Sequence, residues 1–157
     1  MPVPETRGAQ ERRAVESLRP VGGVAEVQVV GALSDAVLAQ CGVVTTARSV
    51  WMHPDVIRKM ETKRPESVDF ILDHIADAVL HPHYCGMDRR DEGARRIDLV
   101  HLVATYKDRP LFVAVKVVPA ADAGSGSDEI WVSTAHPLPA GFLTQPRYAS
   151  RLKAVRS

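Results

Sequence analysis

Val68, Ile71, Leu72, Ile75 and Val79 recur at intervals of three and four within Glu66–Leu80, and Pro82 closes the run. That spacing is one face of a 3.6-residue period, so the segment predicts an amphipathic helix with Asp69, Asp73 and Asp77 on the opposite side. Such a helix must lay its apolar stripe against another layer. Apolar, β-prone runs stand downstream at Ile97–Tyr106, Leu111–Val118 and Ile130–Ala135. Lys107-Asp108-Arg109-Pro110 reads as the turn between the first two, and Ala120–Asp128, with its Gly124-Ser125-Gly126-Ser127, as the loop before the third. Short connections make consecutive strands antiparallel neighbours, here a meander. Helices first and sheet after point to an α+β fold: N-terminal helices packed on a C-terminal antiparallel β-sheet.

The first half carries weaker signals. Val24–Val30 suits a strand that Gly31 stops, and Val43–Met52 suits another. Ser34 is placed to cap a short helix over Asp35–Gln40, and Gly42 to end it. Pro54 fits the first position of a further helix, with Asp55 at its positive end and Lys63-Arg64 before Pro65 at its close. The expected organisation is a flexible or partly helical arm over residues 1–23, a domain over 24–143 and a basic tail over 144–157.

A chain of 157 residues is long enough to bury a substantial core. It has no apolar run of membrane-spanning length and no apolar signal-peptide core near its N-terminus, so the expectation is a cytoplasmic protein with no membrane partner. Cys41 and Cys85 lie far apart and form no CxxC unit, which suits two reduced thiols. A net charge of +1 does not announce a nucleic-acid binder, but the charge is unevenly spread. No acidic residue follows Glu129, whereas Arg147, Arg151, Lys153 and Arg156 do, and Arg89, Arg90, Arg95 and Arg96 form a second cluster. Each is either a solvated stretch or a polyanion surface.

Candidate chemistry gathers on the last two strands of the meander. Alternation puts Phe112, Ala114, Lys116 and Val118 on one face, making Lys116 the single charge of an apolar strand. It either snorkels at an edge or faces a cleft, where an ammonium suits a phosphate. In Trp131-Val132-Ser133-Thr134-Ala135-His136-Pro137, Ser133 and Thr134 offer hydrogen-bond donors and His136 stands at the strand end as a proton carrier or a merely exposed imidazole. His101 reads as a core histidine, and His53 as a capping residue or an acid or base. His81-Pro82-His83-Tyr84-Cys85 holds zinc-type ligands, but its spacing matches no closed structural site and no partner pair follows it. There is no Walker A sequence, no GxGxxG and no GxSxG. No cofactor is expected.

Taken together, Val30-Gly31-Ala32-Leu33, Ser49-Val50-Trp51-Met52-His53-Pro54, the helix ending in His81-Pro82-His83-Tyr84, Val113-Ala114-Val115-Lys116-Val117 and Trp131-Val132-Ser133-Thr134-Ala135-His136 form a pattern over residues 27–138. It resembles the phage-associated branch of the barnase–EndoU–colicin E5/D–RelE nuclease superfamily. The resemblance implies helices on a four-stranded antiparallel sheet and metal-independent RNA cleavage by attack of the ribose 2′-OH on the adjacent phosphate. It also implies toxin or phage-associated roles, with RNA as partner and an immunity or antitoxin protein as a second one. Carried over by position, it makes His53, Lys116, Thr134 and His136 the catalytic candidates, with Arg89, Arg90 and Ser133 on the substrate. Relatives of this branch commonly carry a Lys-His pair where Lys63-Arg64-Pro65 stands here. In this reading His136 or His53 removes the 2′-OH proton and the other protonates the leaving 5′ oxygen. The rival is a catalytically inactive RNA- or protein-binding module of the same fold.

Overall fold

The computed structural model describes residues 26–92 and 95–156, apart from the side chains of residues 90–92, 95 and 96. The arm expected over residues 1–23 therefore lies outside the described residues. Along the chain run β1 (Gln28–Ala32), α1 (Asp35–Cys41), β2 (Ser49–Met52), α2 (Pro54–Lys63), a 3-10 turn (Pro65–Ser67) and α3 (Val68–Leu80). Then come β3 (Tyr84–Glu92), β4 (Arg95–Tyr106), β5 (Arg109–Val118), β6 (Glu129–Pro137), a 3-10 turn (Phe142–Thr144), α4 (Pro146–Ala149) and β7 (Lys153–Ala154).

Local chemistry accounts for the helix ends. Ser34 Oγ accepts the Val37 N–H at 3.2 Å, and Gly42 closes α1 in the left-handed region at φ 69°. Pro54 opens α2 behind His53, whose Nδ1 accepts the Asp55 N–H at 3.1 Å. α3 follows its sequence period: Ile71, Ile75, Ala78 and Val79 have no exposed surface and share a core with Val30, Leu102, Val113 and Val115. Burying each of the larger side chains contributes about 1.5–3 kcal/mol.

The fold is α+β, with one seven-stranded sheet in the order β1-β2-β6-β5-β4-β3-β7. β3, β4, β5 and β6 form the expected meander, extended by one strand. Two expectations are corrected. Sheet and helices are not separated along the chain: β1 and β2, from the first half, join the same sheet through a parallel pairing of β2 with β6. These strands are only five and four residues long, so their partner is set by burial of Val30, Val50 and Met52 beneath the helices and not by any local signal. The sheet also exceeds the four strands that the resemblance implies, because β1 and β2 add to one side of the β3–β6 meander and β7 to the other.

The alternation of β5 separates two cores. Leu111, Val113, Val115 and Val117 face the helices, whereas Phe112 and Ala114 face away. On that far face Leu138, Phe142 and Leu152 join them, so the stretch read as a basic tail returns across the sheet and ends as β7 beside β3. Its apolar residues, Leu152 at 3% exposure among them, hold it there; its cations remain at the surface. Within the helix-side core the Cys41 and Cys85 thiols hydrogen-bond to each other, and this contact, with burial, pushes Cys41 up and keeps it protonated.

The β4–β5 hairpin turns on Lys107 and Asp108, both left-handed at φ 50° and 66°. A two-residue turn of this hand favours Asn-Gly, because each ordinary side chain there costs about 1–2 kcal/mol. Lys107→Asn with Asp108→Gly is expected to raise stability by ~1 kcal/mol, read from the urea midpoint. An unchanged midpoint would show that the turn is unstrained.

Candidate active site

One irregularity decides what β6 presents on each face. Ala114 pairs with Thr134 but Val115 pairs with Val132, so Ser133 is an extra residue, a β-bulge. Strict alternation from Ile130 and Val132 would send Thr134 and His136 into the helix-side core. The bulge resets the phase. Ala135 enters that core instead, and Thr134 and His136 turn to the far face beside Ala114 and Phe112.

His136 is half-buried there, its ring 5.0 Å from that of Phe112. Phe112 in turn touches the rings of His101 at 5.0 Å and Tyr148 at 6.3 Å. The Nδ1 of His136 lies 3.0 Å from the carbonyl oxygen of Pro137. A carbonyl only accepts, so Nδ1 carries the proton in that bond and Nε2 is left as the basic nitrogen. Burial lowers the pKa of His136, the Pro137 bond partly opposes this, and the positive charges of Arg64 and Arg147 lower it further. The imidazole is therefore held neutral near physiological pH.

Arg64 comes from the end of α2. β2 leaves β6 after Trp131, so the rest of that strand edge is open, and α2 lies along it. A cleft forms with Lys59, Lys63 and Arg64 on the helix side and Ser133, Thr134 and Ala135 on the strand side. Ser133 and Thr134 are exposed to it. Arg147 stands on α4, its guanidinium 4.6 Å from the Tyr148 ring centre.

The structure brings Thr134, Ser133 and His136 together on β6. Lys116 shares their face yet pairs with Trp131, four residues along β5 from Phe112, the partner of His136. That is about 13 Å of strand, so Lys116 and His136 address different points of any ligand. His53 sits at the far end of the ten-residue α2 from Arg64, about 15 Å away along the axis, and its Nδ1 serves as the helix cap. Arg89 stands on the helix side of the sheet, 3.0 Å from Asp98 across β3 and β4, and does not share the face of His136. The Arg90 side chain lies outside the described residues; its backbone pairs with Ile97. In the His81–Cys85 segment, His83 Nδ1 accepts the Thr105 N–H at 2.9 Å while Cys85 turns into the core, so its ligand-type side chains do not converge.

Arg64 and Arg147 are the site residues that sequence reasoning left out. Lys59 and Lys63, four apart on one helix, carried a usable signal of a cationic stripe. Arg147 carried none beyond its place in a basic stretch. Comparison with protein-family models, curated proteins and solved structures finds no match for this chain.

Proposed function

We propose that this chain is a metal-independent endoribonuclease on a fold of the barnase–EndoU–colicin–RelE kind. The observation that carries the reading is His136: an imidazole bonded through Nδ1 to the Pro137 carbonyl, with Nε2 as its basic nitrogen, kept neutral by burial and by the positive charges of Arg64 and Arg147. Cleavage by a neighbouring hydroxyl needs a base for the 2′-OH proton and fixed cations for the charge that builds on the phosphate oxygens. His136 takes the proton on Nε2 as the 2′ oxygen bonds to phosphorus. Arg64 and Arg147 hold the phosphate, Thr134 and Ser133 donate to its oxygens, and the departing 5′ oxygen takes a proton from solvent. The product ends are a 2′,3′-cyclic phosphate and a 5′-hydroxyl.

Incubation of the purified chain with tRNA and total RNA in EDTA tests this, scanned from about pH 5 to about pH 8. The base works unprotonated and its pKa is lowered, so the rate is expected to hold as pH falls past the ordinary histidine value near 6.5 and to drop only below it. The same shift sets the sign for stability, since the unfolded chain binds the proton more readily. Stability is complete above about pH 6.5 and declines as pH falls from there through the lower folded value. No cleavage at any pH in the range would overturn the proposal.

The use of His53 Nδ1 as a helix cap favours a second reading, an RNA-binding module that keeps the cationic cleft without turnover. It predicts salt-dependent RNA affinity with no product ends at all.

A further inference from the structure

On the far face, the second core covers β5 only as far as Phe112 and Ala114, and Trp51, Trp131 and Lys116 are outside it. These three stand in one row across β2, β6 and β5, because Trp51 pairs with Trp131 and Trp131 with Lys116. The indole rings are 6.3 Å apart and tilted by 36°, and Trp51 keeps 36% of its surface exposed. Trp131 is held in place: its Nε1–H donates to Glu129 Oε1 at 3.1 Å. Hydrogen bonds from Ser125 and Trp131 hold the Glu129 carboxyl below its usual range, so it stays an acceptor for the indole. An exposed indole and a half-buried one beside a cation stand out in a chain with only 5% aromatic residues.

Resting on the ribonuclease reading, we infer that Trp51 and Trp131 form a stacking subsite for the bases of single-stranded RNA, with Lys116, in the same row, on a phosphate at that subsite. The row of Lys116 and Trp131 and the row of Phe112 and His136 lie on one face, Thr134 between them, about 13 Å of strand apart. A strand laid along this track meets the aromatic faces with the ammonium beside them, then a hydroxyl, then the imidazole. Stacking on tryptophan requires a free base face, which a single strand offers and a duplex does not. The position of Lys116 follows from the same geometry: too far along the sheet for the phosphate at His136, it fits the next point of the chain.

Binding is measured in a His136→Ala chain, so that the RNA stays intact, by tryptophan fluorescence and by anisotropy of a labelled single-stranded oligoribonucleotide in EDTA. A duplex of equal length is the comparison. Quenching by the single strand is expected, with much weaker binding of the duplex. Trp51→Ala and Trp131→Ala are each expected to weaken single-strand affinity about 5- to 150-fold, and Trp51→Phe, which keeps a ring, to restore most of it. Lys116→Ala should shrink the slope of log affinity on log salt by about 0.7. Single-strand affinity unchanged in Trp51→Ala, Trp131→Ala and Lys116→Ala overturns the subsite, as does equal binding of the duplex. If the chain cleaves RNA while the tryptophan variants bind normally, the subsite fails and the ribonuclease reading stands. If the tryptophans govern binding and no RNA is ever cleaved, the ribonuclease reading fails and the subsite stands.

Discussion

Replacing His136 with alanine is expected to lower RNA cleavage about 10²- to 10⁴-fold, the usual span for loss of a positioned base. The fold should be retained, because the side chain is half-buried and contributes one ring contact to the far-face core and one bond to the adjacent Pro137. RNA affinity should change far less than rate, since in the proposed mechanism the phosphate is held by Arg64, Arg147 and their lysine neighbours. Arg64→Ala separates that charge from the base. It should slow cleavage about 10²- to 10³-fold if the guanidinium stabilises the reacting phosphate. It should also raise the pKa of His136, because a positive neighbour that disfavours the imidazolium is gone. Following the imidazole resonances by NMR titration reads that shift without any need for activity. A His136→Ala chain that cleaves like wild type would remove this residue from the mechanism. An unmoved titration in Arg64→Ala would place that arginine away from the imidazole.

Gly86→Ala should damage the molecule from a different side. A Cβ at Gly86 would lie 2.3 Å from the carbonyl oxygen and 2.9 Å from the carbonyl carbon of Arg151. Those are backbone atoms, so no rotamer change relieves the contact and the returning C-terminal strand must move off β3. Overpacking of this kind costs about 1–3 kcal/mol, which corresponds to a melting temperature roughly 2–12 °C lower for a chain of this size. The loss should be felt in the site as well, because Arg147 rides on the same segment, and release of that segment should raise the pKa of His136. Gly124→Ala is the matched control, since a Cβ there meets nothing within 4 Å. Equal melting of the two variants would mean that the crossing at Gly86 adjusts freely.

The bulge at Ser133 shows where sequence reasoning reached its limit. Strict alternation along β6 from Trp131, the partner of Lys116, would have put Thr134 and His136 on the face opposite Lys116; the bulge brings all three to one face. An added residue in one strand is defined only by the pairing with its neighbour, and no single-strand pattern carries it. The Lys63-Arg64-Pro65 stretch is the converse case. It looked like the loss of a histidine, but the path of α2 along the open edge of β6 makes Arg64 one of the cations acting on His136.

What the sequence determined by itself is everything with a local cause. The period of α3, the caps at Ser34 and Gly42, the Pro54 start of α2, the hairpin at Lys107-Asp108 and the meander that follows depend on neighbours a few residues away. The tertiary structure alone decided what depends on distant partners: β2 beside β6, the bulge that turns His136 outward, and the return of α4 and β7 over the far face. The physical reason is the same in each case. A cap or a period is written in adjacent dihedrals and side chains, whereas strand register and the field around an imidazole are settled by burying apolar surface against residues far along the chain, which no local pattern specifies.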